Sequence, residues 1–258
     1  MKNILVCMKA VPATTQVATD EEFRLKRDST GLQWNVADEA ALEAALRLKG
    51  SSGTVTVLTM GPKKLAESLR ELLGRGADRA LLLTDPRMAG ADTHATARAL
   101  AATVRELGGF DLILCGRRAM DGETGQIPGE LASALGLPCV TDVESLQEAE
   151  GQLLLRRRLE TGIATLRMRL PGVVSICEYA YPLRLPGILA LRRARQKQAD
   201  ILTAADIHLC PEECGVKGSL TKVIYADTRF PGRRKGPKET NITAGVNKLL
   251  QLCREVGS

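Results

Sequence analysis

Phe110 to Pro138 reads FDLILCGRRAMDGETGQIPGELASALGLP. Leu112-Ile113-Leu114-Cys115 is a short, wholly apolar run, as in a strand buried on both faces, and it ends at Gly116. A polar loop follows: Arg117, Arg118, Ala119, Met120, Asp121, Gly122, Glu123, Thr124, Gly125 and Gln126. A helix then begins at Ile127-Pro128, with Pro suited to its first turn. Strand, glycine-bearing loop and helix N-terminus together form an anion site, because backbone N–H groups converge there and the helix dipole favours negative charge. The stretch therefore points to nucleotide binding. The loop fits neither the Walker pattern nor GxGxxG, so spacing alone leaves an ordinary βα turn as an equal reading. Gly122 and Gly125 permit positive φ or close ligand approach. Asp121 and Glu123 suit ribose hydroxyls or solvent better than phosphate, with Arg117 balancing charge.

The same alternation runs upstream. Asn3–Met8 reads as a strand, Asp38–Lys49 as a helix capped by Asn35 or Asp38 and stopped by Gly50, and Thr54–Thr59 as a strand. Lys63–Leu73 reads as a helix closed by Gly74, Arg79–Thr84 as a strand, and Asp92–Leu107 as an alanine-rich helix closed by Gly108-Gly109. Repeated strand–helix units predict an α/β fold: a doubly wound, mostly parallel sheet with helices on both faces. Ligands of such sheets lie beyond the strands' carboxyl ends, at the switch in strand order. After Pro138 the period becomes two. Thr141–Gln147, Gln152–Arg158 and Ile163–Arg169 read as an antiparallel extension, and Val173–Cys177 as a return to the central sheet.

From about residue 180 the chain becomes irregular and basic. Residues 181–258 hold 14 Lys and Arg against 7 Asp and Glu, whereas the whole chain has a net charge of +6. This predicts a nucleotide-binding domain over residues 1–180 and a C-terminal arm over 181–258 that lies against a partner, ending in a helix over Ala244–Glu255. Leu185, Pro186 and Ile188 form an apolar knob followed by Arg192, Arg193, Arg195 and Lys197. That is either an exposed basic helix or a docking element for an acidic partner.

Composition narrows the function. The 258 residues are 44% hydrophobic and 26% charged, which describes a globular chain. No apolar run is long enough to span a bilayer, so membrane insertion is not expected, and MKNILVCMKAVP reads as a first strand rather than a leader. Seven cysteines without a small-domain framework suggest a reducing, cytoplasmic setting, with Cys210 and Cys214 read as surface thiols. His94 and His208 read as surface residues without metal-ligand spacing. No nucleophile elbow or triad is present, so nothing points to acid–base or covalent catalysis. A basic tail also permits a nucleic-acid binder, but three Tyr and three Phe offer little for base stacking.

The residues also carry a resemblance. ILVCMKAVP, NVADEAALEAALRLK, VTVLTMGP, LRELLGRGADRALLLTD, AGADTHATARALA, GRRAMDGETGQIPGELASALGLP, LPGVVSICE and LRLPGILALRRARQK together resemble the β subunit of electron-transfer flavoproteins over almost the whole length. The resemblance implies a nucleotide-binding fold like that of the adenine-nucleotide α-hydrolases, and a heterodimer whose α subunit holds the redox-active FAD. It implies AMP, or in the electron-bifurcating branch a second FAD, in this subunit, and an acyl-CoA dehydrogenase or similar flavin dehydrogenase as electron donor. The loop Asp-Gly-Glu-Thr-Gly-Gln-Ile is closer to the Asp-Gly-Asp-Thr-Ala-Gln-Val of the bifurcating branch. Carried over by position, the nucleotide site would use Cys7 and Lys9, the stretch Asn35, Val36, Ala37 and Asp38 beside adenosine, Met60, and Gly116 to Ile127 around ribose and phosphate. Leu185 matches the family's apolar anchor for the dehydrogenase. Val36 stands where the family has Pro, Thr14 where some relatives have Tyr near the α-subunit flavin, and Pro128-Gly129 reverses the common Gly-Pro. The rival from another class is a stand-alone ATP- or AMP-binding regulatory domain or adenylating enzyme. It would need a triphosphate loop and a catalytic base, and the sequence offers neither.

Overall fold

The computed structural model describes residues 2–13, 31–224 and 239–256. The chain falls into two compact units, Met1–Val223 and Ile224–Ser258.

In the first unit, apolar runs become strands and amphipathic runs become helices, and the two alternate between residues 32 and 149. The order is β1 (Asn3–Cys7), β2 (Ala10–Pro12), β3 (Leu32–Trp34), α1 (Val36–Leu48), β4 (Thr54–Met60), α2 (Leu65–Arg75), β5 (Arg79–Leu83), α3 (Thr93–Leu107), β6 (Leu112–Gly116) and α4 (Ile127–Leu135). Then come β7 (Cys139–Ala149), β8 (Gln152–Leu159), β9 (Gly162–Met168), β10 (Gly172–Ile176), α5 (Ile188–Ala194), β11 (Asp200–Leu202) and α6 (Gly215–Gly218). Nine strands form one sheet in the order β11-β5-β4-β1-β6-β10-β7-β8-β9. Pairing is parallel from β11 to β7 and antiparallel across β7, β8 and β9. This is the expected doubly wound sheet with its antiparallel extension, and β10 returns to the centre as expected.

The alternation of side chains along the strands divides the core between the two faces. Ile4 and Val6 of β1 pack with Leu42 and Leu46 of α1 and Leu69 and Leu72 of α2. Leu5 and Cys7 pack on the other face with Leu100 and Val104 of α3 and Leu131 of α4. From β1 the chain winds outward through β4 and β5, then crosses back to start again at β6. The switch point therefore lies between the carboxyl ends of β1 and β6.

Four local differences from the sequence reading have physical causes. The helix over 65–75 runs past Gly74 and closes at Gly76, because Gly74 faces α5: an added Cβ would lie 3.0 Å from Leu191 Cδ2. The antiparallel pair β2–β3 was not foreseen, since its strands are three residues each and far apart in sequence. Residues 181–223, expected in the arm, lie within the first unit. There, β11 pairs in parallel with β5, and Ala204, Ile207 and Cys214 are buried. Cys214 is accordingly an interior thiol rather than a surface one. The second unit contributes α7 (Ile242–Val256), with Ile242, Val246, Leu249 and Leu250 exposed. The Thr14 position falls outside the described residues.

Candidate functional site

Two buried polar side chains tie the switch point together. Asp38, in the first turn of α1, accepts the Lys9 N–H with Oδ2 at 2.7 Å and the Gly116 N–H with Oδ1 at 3.0 Å, linking the ends of β1 and β6. Asn35, just before α1, donates its Nδ2 to the Arg118 carbonyl at 2.9 Å and accepts the Met120 N–H with Oδ1 at 3.1 Å. The Asn35 N–H itself donates to the Lys9 carbonyl at 2.9 Å. Cys7–Lys9, Asn35–Asp38 and the start of the Gly116–Ile127 loop are thus one constellation. In it Asn35 and Asp38 act as splints, their hydrogen-bonding atoms turned to the protein. Burial pushes the Asp38 carboxyl up to about 7, against hydrogen bonds from Asn35, Lys9 and Gly116 that favour the charged form.

The loop's charges are matched internally. Lys9 Nζ lies 2.6 Å from Asp121 Oδ1, and that carboxylate is nearly buried. Arg117 pairs with Asp142 and Glu178, and Arg118 with Glu178 and, at 3.8 Å, Glu123. Arg117 was expected to balance charge within the loop; its carboxylate partners come instead from β7 and from the segment just after β10. Glu123 and Gly125 take positive φ, 50° and 65°, whereas Gly122 does not; a Cβ there would meet open space. Gly125 is therefore the conformational glycine, whereas the protein itself places neither a positive φ nor a close neighbour at Gly122.

The loop backbone supplies donors. Its Arg117, Met120 and Glu123 amides are used within the protein. Among the described residues, the amides of Gly122, Thr124 and Gly125 have no protein acceptor. Gln126, at the N-cap of α4, makes no side-chain capping bond, so the first-turn amides of α4 are not capped by it. The Thr93 hydroxyl, at the start of α3, lies 3.0 Å from Gln126 Oε1 and 3.1 Å from Glu130 Oε1, which sets the start of α4 against α3. Donors without acceptors beside a helix N-terminus fit a phosphate ester, and the carboxylates Asp121 and Glu123 disfavour a highly charged triphosphate.

Of the remaining expected site residues, Met60 ends β4 beside β1 and packs against the core cluster that contains Cys7. No hydrogen bond joins it to the loop among the described residues. Cys7 is buried next to Cys115, whose thiol is held well above the usual range by its hydrogen bond to Cys7 and by burial. The Cys115 thiol is therefore neutral, which suits a packed floor rather than a nucleophile.

The knob is far from this loop in sequence and openly exposed: Leu185 is 88% exposed and Ile188 79%. Pro186 is half-buried between them, and Arg192 and Arg193 of α5 face solvent. Sequence reading missed Glu43, Asp142 and Glu178 as partners. Glu43 with Arg47 reads as an ordinary i,i+4 surface pair, and the other two are brought in only by the sheet.

Residues 23–207 match the family described as electron transfer flavoprotein domain. The chain is 37% identical over 252 residues to the electron transfer flavoprotein subunit beta of Thermoanaerobacterium thermosaccharolyticum, covering 96% of both chains. It is 34% identical over 259 residues to that of Mycobacterium leprae, covering 97% of both. It is 38% identical over 250 residues to the caffeyl-CoA reductase-Etf complex subunit CarD of Acetobacterium woodii, covering 96% of this chain and 94% of that one.

Proposed function

The chain belongs to the electron transfer flavoprotein family, as a beta subunit, and from that premise we propose that it binds an adenylate at the β1–β6 switch point and serves electron transfer as half of a heterodimer. The single observation that carries the ligand reading is the set of unpaired loop amides at Gly122, Thr124 and Gly125 beside the uncapped start of α4. The adenylate is either AMP or the adenylate half of a second FAD; both present the same phosphate ester to the loop.

In this reading the chain's residues bind and orient. Asp38 and Asn35 hold the loop ready before the ligand arrives, which reduces the ordering cost of binding. Lys9 and Asp121 close one side of the loop. FAD, held by the α subunit, supplies the electron-carrying chemistry. The exposed apolar face of α7 is covered by that α subunit. The Leu185–Ile188 tip, with its following cations, docks on a flavin dehydrogenase of the acyl-CoA type that presents an apolar pocket rimmed by carboxylates. The cytoplasmic setting is supported by all seven thiols being free. No helix among the described residues is long and apolar enough to cross a membrane.

Release and chromatography of nucleotides from the purified heterodimer tests the reading. One FAD with one AMP supports a structural adenylate and excludes bifurcation at this site. Two FAD supports a second flavin. One FAD with no further adenine nucleotide overturns the proposal.

A further inference from the structure

Tyr181–Arg184 is strapped to three separate elements immediately before the exposed tip. The Tyr181 hydroxyl accepts the Leu146 N–H of β7 at 2.8 Å, and the Arg47 guanidinium lies 5.4 Å from the centre of its ring. Arg184 grips Glu43 of α1 with both prongs of its guanidinium, Nε to Oε2 at 2.9 Å and NH2 to Oε1 at 3.1 Å, while its backbone N–H donates to the same Oε2 at 3.2 Å. The Arg184 carbonyl accepts from Arg75 of α2 at 3.0 Å. Beyond the tip, α5 is seated again: Ala194 is buried, and Gly74 leaves the room in which Leu191 and Ala194 pack on α2. The chain is thus pinned before Leu185 and after Leu189, and between the pins Leu185, Ile188 and Leu189 stand exposed.

Glu43 is the centre of this arrangement. Its side chain is only 3% exposed, so its charge requires partners, and a bidentate arginine is the geometrically stringent one. Hydrogen bonds from Arg184 and Arg47 outweigh the effect of burial and hold its carboxyl below the usual range. Helix α1 does not need Arg184 to satisfy Glu43 in part, because Arg47 already pairs with it at 2.7 Å. What the second arginine adds is a fixed backbone at residue 184.

We propose that the Glu43–Arg184 clasp positions the docking tip, making Arg184 a positioning residue for recognition of the partner dehydrogenase. The inference rests on the docking reading given above. A tip held in its bound conformation loses less freedom on docking than a loose one. Releasing the clasp therefore weakens recognition without touching the nucleotide site or the electron-transfer step itself.

The test uses the full heterodimer and its flavin dehydrogenase. Arg184→Ala raises the KM for the dehydrogenase about tenfold while leaving the rate at saturation and the nucleotide content unchanged. Arg184→Lys, a cation without the planar fork, recovers only part of the loss. The double variant Arg184→Ala/Leu185→Ala is no worse than Leu185→Ala, since the clasp acts through the tip. Hydrogen exchange accelerates over residues 185–191 and not along α1. If Leu185→Ala raises KM while Arg184→Ala does not, if the two losses add fully, or if exchange accelerates throughout, the clasp has no positioning role and docking stands. If Leu185→Ala leaves KM unchanged, the docking reading itself fails.

Discussion

The Asp38 carboxylate stands in the space that a side chain on Gly116 would need. Its Oδ1 accepts the Gly116 N–H at 3.0 Å, and a Cβ at Gly116 would also meet the backbone of Ala37 and Asp38 at 2.7 Å. The first glycine of the loop is thus set by the approach of α1 to β6 and not by a turn. Gly116→Ala therefore forces α1 away from the strand end, an overpacking cost of about 1–3 kcal/mol. The variant should melt lower than the wild-type heterodimer and retain less adenine nucleotide after gel filtration. An unchanged melting temperature with full nucleotide would show that the approach is not constrained.

Asp38 also makes stability depend on pH. Its folded carboxyl titrates at about 7, above its ordinary 3.8, so between those values the folded state holds a proton that the unfolded state has released. The stabilisation is complete below the lower value and is lost as pH rises through the upper one, by at most about 4 kcal/mol. The melting temperature of wild type relative to Asp38→Asn should therefore fall between about pH 4 and pH 7 and level off above that range. A difference independent of pH across the window would contradict the buried titration.

Asn35 spans the loop with two hydrogen bonds to its backbone. Asn35→Ala removes both, a net loss of about 2 kcal/mol, which corresponds to roughly 30-fold in affinity if the loop must re-form on binding. Equilibrium dialysis of adenylate against nucleotide-stripped heterodimer measures it. Equal affinity in the variant would mean that the ligand orders the loop unaided.

The cations after the tip should act on encounter. Arg192→Glu together with Arg193→Glu should slow electron transfer at limiting dehydrogenase and flatten its dependence on salt, leaving the rate at saturation near wild type. Stopped-flow measurements over a salt series separate the two. A salt dependence as steep as wild type would place the steering charge elsewhere.

Most of the frame was legible in the sequence because it rests on local signals. Apolar runs such as Leu112–Cys115, and the period change after Pro138, identify strands without knowledge of their neighbours. The loop and the knob were legible for the same reason. What was not legible depends on proximity created by folding. Gly74 looks like a helix stop until α5 is seen lying on it. Arg117 looks available to a ligand until β7 and the segment just after β10 bring Asp142 and Glu178 beside it. The segment after Tyr179 lacks helical periodicity because it lies down piecewise. Asp200–Leu202 completes the sheet edge, and Asp92 of the α3 cap accepts from the Leu220 and Thr221 amides at 2.9 Å.

The most direct measurement is a crystal structure of the heterodimer with its bound nucleotides. The account predicts an adenylate phosphate within hydrogen-bonding distance of the amides between Gly122 and the first turn of α4, with the Asp38 and Asn35 bonds unchanged. An adenylate bound away from the β1–β6 switch point, or a loop whose amides face only solvent in a fully loaded complex, would contradict it.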